Sequence, residues 1–150
     1  MRRWDLATAR LMQTYTGHRG WVEAVRFAPG GGSAFSAGGD GRILKWDLDS
    51  GEIRSEKEPG GWLRTLAISP DGSRLCVGGE DHRIHCRDLA TGERTAVLRG
   101  HQSHVLDVAF IPGSRQLVSR VPRRPCWYGS FPNRPADPPW RCDGDLTCFR

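Results

Sequence analysis

The sequence has little lysine, no long apolar run and no pair of cysteines at CxxC spacing. Its hydrophobic stretches are far too short to cross a bilayer, and its 150 residues are 37% hydrophobic and 26% charged, which is typical of a soluble globular domain. The basic N-terminal residues are not followed by the apolar segment of a secretory signal peptide. We therefore expect a cytoplasmic protein without a membrane-spanning segment.

The five cysteines do not match a common metal or disulfide arrangement. Their odd number, without a secretory signal, makes a disulfide framework unfavourable. Cys76 and Cys86 fall inside strand-like segments, where small buried thiols are common. A zinc site made of His104 and the three C-terminal cysteines has the wrong spacing; those are Cys126, Cys142 and Cys148. We expect no metal and no cofactor.

The formal net charge of +5 is unevenly distributed. Residues 120–150 carry six Arg against three Asp, whereas the rest has a small positive excess without a Lys/Arg cluster. A basic chain can bind nucleic acid, but the absence of a basic cluster in the body of the chain makes nucleic-acid binding an unfavoured interpretation.

Two short patterns recur three times with one period. The first ends a predicted strand, and its copies begin at Trp4, Trp46 and Arg87, 42 and 41 residues apart. The second begins a predicted strand, and its copies occupy residues 21–27, 62–68 and 104–110. Two independent patterns in one register indicate an array of repeated structural units.

Each period is predicted to contain four short strands. In the first period, residues 22–27 alternate between apolar and polar side chains, as a half-buried strand does. The hairpin signal Asp40-Gly41 separates predicted strands at 34–38 and 43–48, and a polar outer strand is expected at 52–57. No segment has a convincing helical period.

This arrangement resembles the WD40 repeat, which has about this length, Gly-His near its start and Trp-Asp near its end. The Gly-His pairs begin at Gly17 and Gly100, and the Trp-Asp pairs begin at Trp4 and Trp46. The resemblance covers residues 4–119. It implies an all-β fold, a fragment of a β-propeller with two complete four-stranded blades at about 21–58 and 62–99.

Partial blades are expected on both sides of the complete ones. A lone outer strand is predicted near Arg10–Tyr15, and a blade begins at 104–119. A closed propeller has four to eight blades, so this array cannot close by itself.

In the WD40 family, a buried tetrad of His, Ser or Thr, Asp and Trp often ties a blade together. Buried polar groups of these kinds each need a hydrogen-bond partner. The resemblance places the structural tetrad on four residues of the first repeat: His18, Ser36, Asp40 and Trp46. The second repeat departs from the pattern, with Pro59, Val77, Asp81 and Arg87 at the same positions. The third repeat offers His101 and Ser119.

Two groups of side chains could be mistaken for other kinds of site. His18, Ser36 and Asp40 suggest a catalytic triad, but the repeat register favours a structural role. Asp81, His82 and His85 suggest a metal site, but the two histidines would point to opposite faces of a strand, so we expect a solvated hairpin tip. No catalytic or cofactor motif is present, and we expect no enzyme activity.

By resemblance, such proteins bind partners on the narrower face of the propeller. The positions that lie there at the start of inner strands and before the turn Asp are, in this chain, Trp21, Glu23, Gly39, Trp62, Arg64, Glu80 and His104. Aromatic and Arg side chains dominate the energetics of protein interfaces. The alternative, that Trp21 and Trp62 pack between blades, stays open.

Two classes of function remain open at this point. One is a non-catalytic protein–protein interaction scaffold, with other proteins, further propeller blades or copies of itself as partners. The other is a regulatory propeller segment of a larger signalling or enzyme-linked protein, such as a kinase, NTPase or protease. A third alternative is a truncated product.

The C-terminal 31 residues differ from the repeats. Residues 120–150 contain six of the ten Pro and three of the five Cys, and dense Pro blocks central strands. We expect a disordered tail that results from a changed reading frame or an alternative end. A genuine Pro/Arg-rich interaction tail is the competing interpretation.

Overall fold

Twelve β-strands make up the fold of the described residues, 1–57 and 61–122, in the computed structural model. Their bounds are β1 Arg2–Asp5, β2 Arg10–Thr14, β3 Val22–Phe27, β4 Ser33–Gly38, β5 Arg42–Asp47, β6 Ile53–Lys57, β7 Leu63–Ile68, β8 Arg74–Gly79, β9 Ile84–Asp88, β10 Arg94–Leu98, β11 Asp107–Phe110 and β12 Leu117–Arg120. Within this part of the chain no helix is long and apolar enough to cross a membrane.

The strands form four antiparallel sheets with neighbours in sequence order. Strands β3 to β6 form blade 1 and strands β7 to β10 form blade 2. The pair β1–β2 forms an N-terminal half-blade, and the pair β11–β12 forms a C-terminal half-blade. The predicted all-β array of two complete and two partial blades is confirmed. One detail was wrong: the predicted lone strand near residues 10–15 is paired, because residues 2–5 form β1 beside it.

Tight turns join the strands, and side chains stabilise them. Gly41 and Gly72 both have a φ of 70°, a left-handed conformation that glycine adopts without strain. Asp47 and Asp88, which end the third strands, each accept backbone N–H groups of the following turn. These bonds, above all those from Ser50 N–H and Thr91 N–H, lower the pKa of each carboxyl.

The inner strands of both complete blades carry a β-bulge at the same place. The register shifts between Val22 and Ala24 in blade 1 and between Leu63 and Thr65 in blade 2. The extra residue is therefore Glu23 in blade 1 and Arg64 in blade 2. A bulge leaves one residue unpaired and redirects its side chain, so the side chains of Glu23 and Arg64 need not follow the alternation of the strand.

Three apolar layers lie between successive sheets. The layer between blades 1 and 2 is the largest, and its buried members are Ala24, Phe35, Ala37, Ile43, Leu63, Leu66, Leu75 and Val77. A second layer joins blade 1 to the N-terminal half-blade through Tyr15 and Trp46. A third joins blade 2 to the C-terminal half-blade through Val105 and Val108.

A disulfide links the middle strands of blade 2, contrary to the expectation of separate buried thiols. Cys76 and Cys86 lie directly opposite each other on β8 and β9 and are joined by a disulfide. The expectation rested on the odd number of cysteines in the whole chain. The pairing of two particular cysteines depends instead on strand register, which places the Cα atoms of Cys76 and Cys86 4.2 Å apart.

The predicted tail lies almost wholly outside the described residues. Strand β12 ends at Arg120, the first residue of the expected tail, so that residue belongs to the C-terminal half-blade. Residues 123–150 and 58–60 are not among those described, so disorder of the tail and its origin in a changed reading frame stay predictions.

Candidate protein-binding face

A hydrogen-bonded chain of four side chains crosses blade 1. The Trp46 indole N–H donates to Ser36 Oγ at 2.7 Å. Ser36 Oγ also lies 2.7 Å from His18 Nε2, and His18 Nδ1 lies 3.0 Å from both carboxylate oxygens of Asp40. All donors are used if the Ser36 hydroxyl donates to His18 Nε2 and His18 Nδ1–H donates to Asp40. The structure thus brings together all four residues of the expected tetrad.

Asp40 is the charged end of this chain. Its burial tends to raise the pKa of the carboxyl, but hydrogen bonds from the backbone N–H of Arg19, from His18 and from the backbone N–H of Arg42 outweigh that effect, and the pKa lies below its ordinary value. A carboxylate that receives several hydrogen bonds in this way stays ionised at neutral pH. Asp40 therefore fixes the loop of Arg19 against the turn of Arg42.

The same atoms resemble a serine-protease triad in connectivity, but Ser36 cannot act as a nucleophile in this position. Its side chain has no solvent exposure, and its oxygen already accepts the indole N–H of Trp46. A substrate carbonyl has no route to that oxygen. The geometry gives these residues a structural role in blade 1.

Blade 2 uses a different pair at the equivalent place. His85 Nε2 lies 2.6 Å from Asp81 Oδ2, and the His85 residue is only 3% exposed. The expected solvated hairpin tip is therefore wrong for His85, because this histidine turns inward onto the turn carboxylate. The neighbouring His82 lies outside this pair.

The starts of the inner strands lie side by side and form the candidate protein-binding face. Trp21 and Trp62 precede β3 and β7, and their rings meet edge-to-face with centroids 5.7 Å apart. Trp21 is nevertheless 74% exposed, whereas Trp62 is half-buried. The alternative in which both rings are packed between blades thus fails for Trp21.

Both bulged residues contact the Trp62 side chain. The Trp62 indole N–H donates to Glu23 Oε1 at 3.0 Å across the blades. The Arg64 guanidinium lies over the Trp62 ring, 4.8 Å from its centroid, and Arg64 Nη2 donates to Glu80 Oε1 at 3.1 Å. Side chains from both blades are therefore connected into one cluster.

Gly39 and His104 complete the set expected from the sequence. A side chain at Gly39 would meet the Trp62 indole, since a Cβ there would lie 3.3 Å from Nε1 and Cε2. The absence of a side chain at Gly39 therefore leaves room for the Trp62 ring close to the backbone. His104 precedes the C-terminal half-blade, at the repeat position that Trp21 and Trp62 hold before β3 and β7, and the centroid of its ring lies 5.4 Å from that of His82.

Sequence reasoning missed two contacts of this region. His82 adopts a φ of 64°, a left-handed conformation, and its ring lies beside that of His104. The position of His82 in the turn before β9 was the one feature of the sequence that favoured such a conformation. Thr65 Oγ1 donates to Asp107 Oδ1 at 3.2 Å and ties blade 2 to the next inner strand. Ala24, Thr65 and Asp107 occupy equivalent positions in the three repeats. Because the Ala24 side chain has no polar atom, a hydrogen bond between neighbouring positions of this set is possible for Thr65 and Asp107 alone.

Comparison with a family model assigns three repeats to the chain. The model of the WD domain, G-beta repeat, matches residues 9–47, 53–88 and 92–120. These segments cover more than half of the chain and include both complete blades.

Curated relatives match one stretch of the chain. The small ribosomal subunit protein RACK1 of Caenorhabditis elegans is 39% identical over 49 residues, which cover 33% of this chain and 15% of that protein. The small ribosomal subunit protein RACK1y of Oryza sativa subsp. japonica is 37% identical over 57 residues, 38% of this chain and 17% of that protein. The chain thus matches about a sixth of the length of these relatives.

Solved structures match over a larger part of the chain. The structure of U3-55K superposes with a TM-score of 0.68 and 28% identity, covering 71% of this chain and 35% of that one. The structure of the RRP9 WD40 repeats has a TM-score of 0.68 and 27% identity, covering 71% and 34% respectively. Both superpositions span about a third of the solved chains.

Proposed function

The chain belongs to the WD40 repeat family, and from that membership we propose that it is a non-catalytic scaffold that binds another protein. The binding surface is the candidate protein-binding face, made of Trp21, Glu23, Gly39, Trp62, Arg64, Glu80 and His104. We also propose that the protein is located in the cytoplasm, as expected from the sequence. In the reducing cytosol, the Cys76–Cys86 disulfide would be reduced to two neighbouring thiols.

The observation that carries the proposal is the exposure of Trp21. A tryptophan that is 74% exposed leaves a large apolar surface in water, and its burial by a partner would be favourable at roughly 25 cal/mol per Å². Tryptophan and arginine are the residues most enriched at interface hot spots. The rings of Trp21 and Trp62 contact each other, so together they present one continuous aromatic surface.

The polar groups around the rings are already held in place. Arg64 is fixed by the Trp62 ring and by Glu80, and Glu23 is fixed by the Trp62 indole. Side chains that are ordered before association lose less entropy when a partner binds. The surface therefore suits a partner segment that buries Trp21 and donates a hydrogen bond to the Glu23 carboxylate, which has acceptor capacity left.

The test compares two exposed aromatic residues at opposite ends of one strand. Trp21 precedes β3, and Phe27, 65% exposed, ends it. The full chain and its Trp21→Ala and Phe27→Ala variants are used as baits in quantitative crosslinking capture from an extract of the source cells. The protein of interest is one that the wild type and Phe27→Ala capture equally and Trp21→Ala loses.

Direct calorimetry with that purified protein then measures the affinity. We expect Trp21→Ala to weaken binding by about 2 kcal/mol or more, about 30-fold, as for an interface hot spot, while Phe27→Ala leaves the affinity unchanged. Equal capture by all three baits, or equal loss with both variants, would contradict a binding role for this face.

A further inference from the structure

The two half-blades at the ends of the array are complementary halves of one blade. In blade 1, Ser36 lies on the second strand and Trp46 on the third. In the C-terminal half-blade, Ser119 lies on β12 and bonds His101 as Ser36 bonds His18. In the N-terminal half-blade, the first Trp-Asp pair lies on β1. Strands β11 and β12 therefore correspond to the first and second strands of a blade, and β1 and β2 to the third and fourth.

The half-blades of one chain lie at opposite ends of the array. The N-terminal half-blade packs on blade 1, where Arg3 Nη1 donates to the Leu48 carbonyl and Tyr15 contacts Trp46. The C-terminal half-blade packs on blade 2 through Val105 and Val108. Two complete blades separate them. Within the described residues, β1 pairs only with β2 and β12 only with β11, so no strand of this part of the chain covers either of the two complementary edges.

The C-terminal half-blade contains the His–Ser part of the hydrogen-bond chain seen in blade 1, to which Trp46 contributes the indole N–H. His101 Nε2 lies 2.7 Å from Ser119 Oγ, the same distance as between His18 and Ser36. In blade 1 the Trp46 ring lies against Gly17, where a Cβ would be 3.0 Å from Cη2. At the equivalent Gly100, a Cβ would meet no atom of the described residues within 4 Å.

An open apolar groove lies beside β12 at the same place. Its volume is about 720 Å³, and its apolar lining includes Ala96, Leu98, Phe110 and Leu117. Leu98, 44% exposed, precedes Gly100 as Tyr15 precedes Gly17, and Tyr15 is the residue on which the Trp46 ring packs, at 5.6 Å. The groove thus has the apolar lining that an indole on a third strand needs.

We propose that two copies of this chain complete each other's half-blades, with β1 of one copy pairing beside β12 of the other. The register of blade 1 joins Ala34 to Trp46, Phe35 to Lys45 and Ser36 to Leu44. Transferred to the half-blades, it joins Leu117 to Trp4, Val118 to Arg3 and Ser119 to Arg2 of the other copy.

The pairing covers exposed apolar surface on both chains. Trp4, 51% exposed, enters the groove and donates its indole N–H to Ser119 of the other copy, and Val118, 54% exposed, is covered by the neighbouring blade. Within the described residues, the completed network has three members, which are His101 and Ser119 of one copy and Trp4 of the other.

The number of blades allows two copies to close. The described residues contribute two complete blades and two half-blades, so two copies of this part of the chain joined at both ends form six blades, within the four to eight of closed propellers. The contact is head-to-tail, and such contacts generate closed rings when the rotation permits. A ring leaves no strand edge open, which removes the edges at which sheets associate without limit.

Light scattering coupled to size-exclusion chromatography tests the proposal on the full chain. We expect twice the mass of the 16.7 kDa chain. Trp4→Ala and Ser119→Ala should each shift the peak towards the monomer, raising the dimer dissociation constant at least tenfold, while Phe27→Ala, which removes a 65% exposed ring from β3 of blade 1, should not. A wild type that stays monomeric, a mass that grows with concentration beyond that of two chains, or a dimer indifferent to both variants would overturn it.

Site-specific crosslinking tests the register independently of how well the variants fold. Chains carrying Arg3→Cys are mixed with chains carrying Val118→Cys under mild oxidation, and the introduced cysteines should join within minutes, because strand neighbours lie within disulfide range. The matched control replaces Arg3→Cys by Leu6→Cys, a turn residue that is 93% exposed. Linkage through Leu6→Cys as efficient as through Arg3→Cys, or no linkage through Arg3→Cys, would refute the pairing.

Discussion

Blades 1 and 2 have the same strands, turns and bulges but are held together by different chemistry. In blade 1, Phe35 faces Lys45 across the middle strands, and the Lys45 ammonium lies 5.6 Å from the ring centroid. The equivalent pair in blade 2 is Cys76 and Cys86, joined covalently. Blade 1 adds the four-residue hydrogen-bond chain, whereas Val77 and Arg87 occupy the Ser and Trp positions of blade 2.

The difference shows that the turn carboxylate is the part of the network that both blades keep. Asp40 is bonded by His18, which arrives from the preceding loop, and Asp81 is bonded by His85, which sits on the third strand where blade 1 has Leu44. A histidine reaches the turn from either direction. The repeat therefore tolerates loss of the tetrad when another side chain bonds the partly buried turn carboxylate.

Truncation of Trp46 should have the largest effect on stability. Trp46 is 1% exposed, so Trp46→Ala should lower the free energy of unfolding by about 3–5 kcal/mol. Trp46→Phe keeps the apolar contact but removes the N–H, and should cost about 1–3 kcal/mol. Arg87→Ala is the matched change in blade 2 and should cost well under either. Urea unfolding followed by circular dichroism measures all three, and equal losses at positions 46 and 87 would contradict the comparison.

Reduction of the Cys76–Cys86 disulfide should have the next largest effect. A link closing so short a loop contributes roughly 2–3 kcal/mol, so dithiothreitol should lower the melting temperature of the wild type. The Cys76→Ser, Cys86→Ser double variant should melt lower and be indifferent to the reductant. Alkylation of both thiols in unreduced, denatured protein would show that the link does not form.

Asp40→Asn should cost stability in a pH-dependent manner. The pKa of Asp40 is lowered in the folded state below its ordinary value of 3.8, so its ionised form stabilises the fold fully above the unfolded pKa, and that contribution is lost as the pH falls through the folded pKa. The variant should be less stable by about 1–3 kcal/mol at pH 7 and converge with the wild type in acid. Parallel stability curves for the two proteins down to pH 2 would rule out this role of the carboxylate.

His85→Leu should have the smallest effect of the four. It introduces the residue that blade 1 has at Leu44 and leaves the Asp81 carboxylate, whose side chain is 21% exposed, without its histidine. Because that exposure lets water replace part of the bond, we expect a loss of about 1 kcal/mol. Leu44→His is the reciprocal control and should cost more, since it buries a polar ring where Asp40 already has a partner.

The sequence predicted the parts of the fold that follow from period and turn chemistry. The alternation at Val22–Phe27, the Asp40-Gly41 hairpin and the spacing of the Trp-Asp pairs were sufficient for the strand order of blade 1. The same register identified His18, Ser36, Asp40 and Trp46 as a set, because each position recurs or is visibly replaced in the next repeat.

Features that depend on which residues face each other could not be predicted in the same way. The link between Cys76 and Cys86 requires the register of two strands, and the bond from His85 to Asp81 requires the direction of the His85 side chain on β9. The contact of Trp62 with Glu23 joins residues 39 positions apart in neighbouring blades, and a repeat pattern gives positions but no side-chain directions.

The bulges at Glu23 and Arg64 have a consequence for how such an array can change over evolutionary time. Each bulged residue lies outside the backbone ladder, so its side chain can be exchanged with little effect on strand pairing. Successive repeats in this chain already carry an acid, a base and, at Leu106, an aliphatic side chain at that position. If the proposed binding face is used, selection can alter which partner it recognises while the strand pairing of the blades stays the same, and a designer could diversify these positions in the same way.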